Sequence, residues 1–452
     1  MSPNPSTFER RTVSALASLY AFRMLGLFMV LPVLTLYGES YTGASAALLG
    51  LALGAYGASQ ALLQIPFGVL SDKIGRKPVI IGGLLIFIAG SVIAALADSV
   101  WGLILGRLLQ GGGAIASAVM ALVTDLTADE NRTKAMASIG ASIGVSFALA
   151  LVLGPALAGL GGLSLIFWVT AALGLVGIFV VVFLVPSVAP SLKRRRESGA
   201  VPQLLWHTLQ NKELLRLNAG IFALHFVLMA SFVVVPVVLN GPLGLARAHH
   251  WWVYLPILGL SFLAMLPFII VAEKRRQIKP VFLLAIGLIG LSLVWLMLAP
   301  KAMVWWLIGL FGFFMAFNLL EATLPSLVSK MAPAGSKGTA TGIYSTAQFA
   351  GAFCGGALGG VVLQLAGVFW VLALCALVVA LWWLVARSMS PPRYLASMLF
   401  PLAGRSAEEI EQKLAGVEAV AEILVVPSED MVYLKVDSAG VNRTEINRLL
   451  GL

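Results

Sequence analysis

Five ionisable side chains stand in or at the ends of stretches that are otherwise almost wholly apolar: Arg23, Arg107, Asp125, His225 and Glu321. Carrying such a group into lipid is costly, so each is a candidate for pairing, for lining a polar path or for moving a proton. Glu321, in "FNLLEATLPS", is the carboxylate set deepest in such a stretch. Apolar surroundings disfavour the ionised carboxylate, which equips Glu321 to load and release a proton; the plainer reading is a buried acid bonded to a neighbouring helix. His225, in "IFALHFVLMAS", adds an imidazole that can titrate near neutral pH or serve as a helix–helix hydrogen-bond donor. Arg107 and Arg23 have no acid beside them in sequence. They are expected either to pair within the packing or to modulate proton transfer. His249 and His250 fall at a loop end and read as solvated.

A second concentration of charge lies in "GVLSDKIGRKP", 68–78, where Asp72, Lys73, Arg76 and Lys77 fall within six residues between two apolar runs. Basic residues in a short loop fix the orientation of a membrane chain. That accounts for Lys73 and Lys77 but not for Asp72, nor for Gly68 and Gly75, whose missing side chains permit a tight turn and close backbone approach.

The elements that must position these groups follow from composition. Of 452 residues, 60% are hydrophobic and 11% charged, with a mean hydropathy of +0.96. Soluble domains carry about 25% charged residues, so most of this chain must face lipid. A helix crosses a bilayer in about 20 apolar residues. Twelve runs near that length predict twelve transmembrane helices: 14–37, 47–70, 79–98, 101–124, 136–160, 163–185, 217–239, 251–272, 281–299, 303–328, 339–365 and 367–387. The first is long and lacks a small-residue cleavage site, so it reads as a retained helix rather than a signal peptide. The two cysteines, Cys354 and Cys375, lie inside apolar runs, which excludes a disulfide framework or a paired-cysteine metal site. No nucleophile–base pair, phosphate loop or metal-ligand spacing occurs, so neither an enzyme nor a cofactor is expected.

The net charge of +10 invites a nucleic-acid reading, which the placement of the charges removes. Loops on one side of the predicted bundle carry 21 of the 30 lysines and arginines, whereas the opposite loops carry only Arg247 and Lys301. This is a positive-inside bias that puts both termini in the cytoplasm, as in a bacterial inner membrane protein. "KRRRES" (193–198) could also touch anionic lipid.

The polar segment 186–215 divides the spans into a first half, 1–185, and a second, 216–390. "ADENRTKAMASIGASIG" (128–144) and "APAGSKGTATGIYSTAQFAG" (332–351) occupy equivalent places in the two halves. Two parallel six-span repeats suit a transporter whose halves rock about a central site. The tail, 391–452, changes to a strand–helix–strand–strand–helix pattern, with Ser406 and Glu409 forming a capping box at its first helix. That order predicts a small α+β ferredoxin-like domain without a clear last strand.

At this level of detail the chain resembles the major facilitator superfamily, and over its whole length the YajR-type, drug/proton-antiporter-like members that carry an extra C-terminal ferredoxin-like domain. "GVLSDKIGRKP" is similar to the superfamily signature between its second and third helices. "GRLLQGGGAIA" (106–116) resembles the fourth-helix motif of proton-coupled members at Arg107, Gln110, Gly111 and Gly113. "LGPALAG" (153–159) resembles the fifth-helix antiporter motif at Gly154, Pro155 and Gly159, with Ala150 and Ala158 where that motif has glycine. The resemblance implies a conformational latch in which Asp72 meets the start of the eleventh helix while Arg76 pairs with Asp125. Of the candidates for proton coupling, Glu321, Arg107, His225 and Arg23, the resemblance supports Arg107 through its motif; the others stand on their placement in apolar spans.

Phe28, Tyr56, Gln60, Asn318, Tyr344 and Gln348 are candidates to line a substrate cavity, each having polar or aromatic character on a predicted span. The expected activity is proton-coupled export of small lipophilic or cationic compounds by alternating access. A proton-coupled nutrient symporter and a membrane sensor with the tail as output are the alternatives. The expected partners are a small-molecule substrate, protons and the lipid bilayer, without nucleic acid.

Overall fold

The computed structural model describes residues 5–127, 129–186, 206, 208–392, 395–414, 416–417, 419–427, 430–437 and 443–450. "KRRRES" and most of the segment expected to link the halves lie outside them.

The first half comprises α1 (Pro5–Phe28), α2 (Ala46–Ile74), α3 (Arg76–Leu96), α4 (Val100–Leu126), α5 (129–160) and α6 (163–184). The second comprises α7 (Lys212–Asn240), α8 (Trp251–Lys274), α9 (Ile278–Leu298), α10 (Met303–Met331), α11 (Lys337–Ala366) and α12 (Val368–Arg387). Ten described helical stretches are long and apolar enough to span a bilayer. One of them, Lys134–Leu184, turns back at Gly161 and Gly162, where the backbone leaves helical geometry, and so supplies two spans. With α1, whose first turns are polar, the bundle has twelve membrane helices.

Helix starts are marked by short polar side chains that accept otherwise orphaned amides. Ser45 Oγ takes the Leu48 amide, Ser99 Oγ takes that of Gly102, and Asn211 Oδ1 takes those of Glu213 and Leu214. Gly75, at φ +99°, lets α2 end and α3 begin on the next residue. That turn brings Arg76 back toward Asp72.

Within the first half α1 lies along α5 while α2 and α3 pack on α4; in the second, α8 and α9 pack on α10, and α12 on α9 and α7. The halves meet through α11, which is held between α2 and α7. In lipid, small residues let backbones approach closely enough for dispersion and weak hydrogen bonds to drive association. A Cβ placed on Gly50 would lie 2.5 Å from Gly356 O, one on Gly54 2.6 Å from Phe353 O, and one on Gly355 2.1 Å from Phe226 O. These contacts sit in the half of the bundle remote from the basic loops. There Ala47 N also donates to Gln364 Oε1 (3.0 Å) and Arg247 Nη1 to Leu36 O (3.3 Å). Gly68 shares a helical face with Gly50, five turns on, yet a Cβ there would meet only Ser117 within 4 Å. The two halves are therefore shut on the side away from the basic loops, and the tight seam between α2 and α11 is not repeated at Gly68.

The tail forms β1 (Leu395–Pro401), α13 (Ala407–Leu414), β2 (Val420–Val426), β3 (Met431–Asp437) and α14 (Arg443–Leu450). Its antiparallel sheet has the order β1-β3-β2, the expected ferredoxin-like arrangement without a fourth strand among the described residues. Ser406 Oγ accepts from Glu409 N (3.1 Å), the first half of the capping box read from sequence. Phe400, Ile410, Val432, Leu434 and Ile446 form its core. The sheet docks on the loop between α10 and α11. Lys435 Nζ donates to Lys330 O (2.9 Å), Glu422 Oε2 accepts from Ala334 N (2.9 Å), and Gly335, at φ +70°, abuts Leu424 and Tyr433.

Candidate functional site

Glu321 lies on the inner side of α10, one turn beyond Asn318, which donates to Ser261 Oγ of α8 (3.2 Å). Opposite it, α11 presents Gln348 and α7 presents His225. Gln348 Nε2 stands 2.8 Å from His225 Nε2 and 3.4 Å from Glu321 Oε1, while His225 Nε2 is 3.9 Å from Glu321 Oε2. One amide nitrogen thus serves both titratable groups. Its two N–H bonds can satisfy them together only if His225 Nε2 is an unprotonated acceptor. Protonating the imidazole obliges the amide to turn and present its oxygen instead. The trio therefore joins α7, α10 and α11 through one side-chain amide.

Above it an aromatic cluster bridges the halves. Phe317, one turn before Glu321 on α10, lies 6.1 Å from the His225 ring and 6.5 Å from Phe147 of α5. Phe147 packs edge-on against Phe28 of α1 at 5.0 Å and near Phe232 of α7 at 6.3 Å. Tyr344, one turn before Gln348, is buried. Phe28, Asn318, Tyr344 and Gln348 thus gather about Glu321, His225 and the aromatic cluster.

Tyr56 and Gln60 belong instead to a second cluster with Arg23 and Arg107. Arg23 Nη2 donates to Gln60 Oε1 (2.5 Å), and Gln60 Nε2 to Gln64 Oε1 (3.0 Å). Arg107 Nη1 donates to Gln110 Oε1 (2.9 Å), and Gln110 Nε2 to Ser91 Oγ (2.8 Å). Both guanidinium groups stand by the Tyr56 ring, at 5.9 Å for Arg23 and 5.3 Å for Arg107. The structure does not bring either arginine into the hydrogen-bonded trio of Glu321, Gln348 and His225.

At the face carrying the basic loops, Arg76 sits between two carboxylates: it forms an ion pair with Asp72 of α2, and its Nε lies 3.1 Å from Asp125 Oδ2 of α4. All three side chains are buried, at 4% exposure or less. Arg76 Nη1 also donates to Ser71 Oγ (2.7 Å), and Lys77 Nζ donates to Val185 O at the end of α6 (2.6 Å). Asp72 and Arg76 of the sequence signature, with Asp125, therefore tie α2, α3 and α4 together, with α6 joined through Lys77. Gly68 lies against Ser117 of α4. In the fifth helix, Gly154 packs on Met29 O and Pro32, where α1 breaks, and Gly159 faces Ala248 of the second half. Pro155 lies inside α5.

The sequence gives no mark of Ser91, Ser261, Phe147 and Phe317, each of which matters only through a partner on another helix, nor of Gln64, whose side chain bonds Gln60 one turn away on α2. Sequence reasoning also passed over the glycine seam, although "GLALGAYG" and "AGAFCGGALGG" carry the small-residue spacing that marks such faces. His250, expected in a solvated loop, is buried with Nε2 3.2 Å from Leu245 O. The Leu245 carbonyl, five residues back in the same loop, gives the imidazole a backbone partner.

Known proteins share this architecture. The family model described as "Major Facilitator Superfamily" matches residues 16–354. The chain is 47% identical over 444 residues to the inner membrane transport protein YajR of Escherichia coli, covering 98% of this chain and 97% of that protein. It is 27% identical over 357 residues to multidrug resistance protein 2 of Bacillus subtilis, covering 75% and 86% of the two. A solved structure of a mutant of the nucleoside transporter NupG superposes with a TM-score of 0.65 at 14% identity, over 84% of this chain and 99% of that one. These relatives are transport proteins rather than enzymes. The protein is a membrane transporter of the major facilitator superfamily.

Proposed function

We propose that the protein is a proton-coupled exporter of small lipophilic or cationic compounds that works by alternating access between its two halves. The observation that carries this reading is the bridge of Gln348 between His225 and Glu321. A carboxyl and an imidazole held by one amide, on three helices around the central region, can exchange a proton for a substrate only by moving those helices. A distant relation to multidrug resistance proteins supports the export direction. The excess of lysine and arginine in loops on one side supports termini in the cytoplasm.

The cluster of Asp72, Arg76 and Asp125 acts in this reading as the conformational latch. In the conformation described, the seam of α2 and α11 is shut on the side away from the basic loops. The alternate conformation would part that seam and bring the ends of α2 and α11 together at the basic face. There Asp72 would meet the N-terminus of α11, whose dipole favours a nearby anion.

The test is proton release from purified protein in lightly buffered detergent on adding tetraphenylphosphonium or rhodamine 6G. Wild type should release protons in proportion to bound cation, and Glu321→Gln should release none. Equal release by the two proteins would sink the reading.

A further inference from the structure

Two arginines inside the first half carry permanent charge that no carboxylate among the described residues cancels. Arg23 is 2% exposed and Arg107 0%. A guanidinium cannot shed its proton to escape an apolar site. The acceptors it finds are neutral: Gln60 Oε1 for Arg23, and Gln110 Oε1 with Ala52 O (3.4 Å) for Arg107. The ion pairs among the described residues include neither arginine. Arg23 Nε and Nη1 and Arg107 Nη2 are buried outside any hydrogen bond among the described residues, and the Tyr56 hydroxyl has only the Arg23 guanidinium as a partner. These unspent donors come from α1, α4 and α2 and surround one aromatic ring. The face of that ring offsets part of the charge by its quadrupole, and its hydroxyl offers Arg23 one neutral acceptor, but neither supplies a negative charge.

We propose that the cluster of Arg23, Tyr56 and Arg107 is a binding site for a monovalent anionic group. The group is either the carboxylate of a transported organic acid or a free inorganic anion such as chloride or nitrate. Charge-assisted hydrogen bonds from guanidinium groups in a low-dielectric site are strong, and a single negative charge is cheaper to dehydrate than a multiply charged phosphate. The route in follows from what covers the site. Phe349 of α11 lies 6.4 Å from the Tyr56 ring, and a Cβ on the adjoining Gly57 would lie 2.6 Å from Phe349 O. The anion site thus lies directly under the seam that must part when the transporter opens away from its basic loops. Opening uncovers the unpaired donors, and closing over a bound anion buries a compensated charge in place of a bare one. The site lies outside the trio of Glu321, Gln348 and His225, so it does not depend on Glu321 carrying a proton.

The experiment uses the purified full chain in chloride-free HEPES–sulfate buffer. Sodium chloride, nitrate or benzoate is titrated at constant ionic strength, and the melting temperature is followed. A ligand that binds the folded state raises stability in a saturable way. Wild type should show such a rise with at least one of the three anions. Arg23→Gln and Arg107→Gln should each raise the midpoint concentration at least tenfold. Should either fail to fold, Tyr56→Phe keeps the ring and removes the hydroxyl, and should raise the midpoint about threefold. No saturable response to any of the three anions, or midpoints unmoved in these variants, overturns the site. Counterflow of labelled benzoate in proteoliposomes separates the sources. Exchange dependent on Arg107 identifies the anion as substrate, and a melting response without exchange identifies it as a resident inorganic ion; either supports the site. Glu321→Gln should retain the titration while losing proton-driven transport, which tells failure of this site from failure of the proton reading.

Discussion

Gln348 holds His225 and Glu321 with one side-chain nitrogen, 2.8 Å from the imidazole and 3.4 Å from the carboxylate. The three residues come from α11, α7 and α10. In the proposed mechanism, a change in protonation at either end is passed to the helix that also forms the seam with α2. Replacing the amide by Gln348→Ala should leave the fold intact, because the side chain is only half-buried. Proton-driven efflux should fall about tenfold, the equivalent of losing one hydrogen bond of about 1.4 kcal/mol. Transport in proteoliposomes, normalised to reconstituted protein, checks this.

Asp125→Asn removes one of the two carboxylates that flank buried Arg76. Arg76 keeps its ion pair with Asp72, so the loss is that of one buried charge-assisted hydrogen bond, about 2 kcal/mol. The variant should melt measurably lower than wild type, and Asp125→Asn with Arg76→Gln together should lose less than the sum of the single losses. Strict additivity in a double-mutant cycle would show that the pair is not coupled.

Gly54→Val tests the seam. Its Cβ alone would lie 2.6 Å from Phe353 O, so α2 and α11 cannot close as described. The variant should populate the conformation open on that side. Electron–electron resonance distances between spin labels at Ala47 and Gln364, which are hydrogen-bonded in the closed seam, should lengthen. An unchanged distance distribution would mean that the seam adapts without opening.

The tail should be held by few bonds. Glu422→Ala with Lys435→Met removes two polar ties to the loop before α11, and cleavage near residues 391–394 by a protease should quicken. Burial also pushes the Lys435 ammonium below its ordinary range. The released tail then binds a proton that the docked tail tends to give up, so docking should strengthen as pH rises from neutral toward the alkaline range. Cleavage relative to an unstructured reference substrate should slow with pH in wild type and lose that trend in the double variant.

The spans were legible because lipid exposure writes itself as uninterrupted apolar runs. The tail was legible because alternation and a capping box mark its strands and helix. The start of α1 was harder: its first turns carry Glu9, Arg10 and Arg11 and form helix from Pro5, before any apolar run begins. Spacing in "GVLSDKIGRKP" brought Asp72 and Arg76 together because Gly75 makes a turn that is local in sequence. The Gln348 bridge was not legible, since it spans 123 residues to His225 and 27 to Glu321. Gln60 carried no sign that it would serve Arg23 rather than a substrate, because an amide suits both and only the placement of Arg23 beside it in space decides.

The proposed proton-driven transport turns, in the end, on whether Glu321 carries the proton. Efflux of tetraphenylphosphonium from proteoliposomes under an imposed pH gradient decides this, comparing wild type with Glu321→Gln. The gradient should accelerate efflux at least tenfold in wild type and not at all in Glu321→Gln, which should still exchange substrate for substrate without a gradient. Gradient-driven efflux by Glu321→Gln at the wild-type rate would contradict a proton-carrying role for this carboxyl.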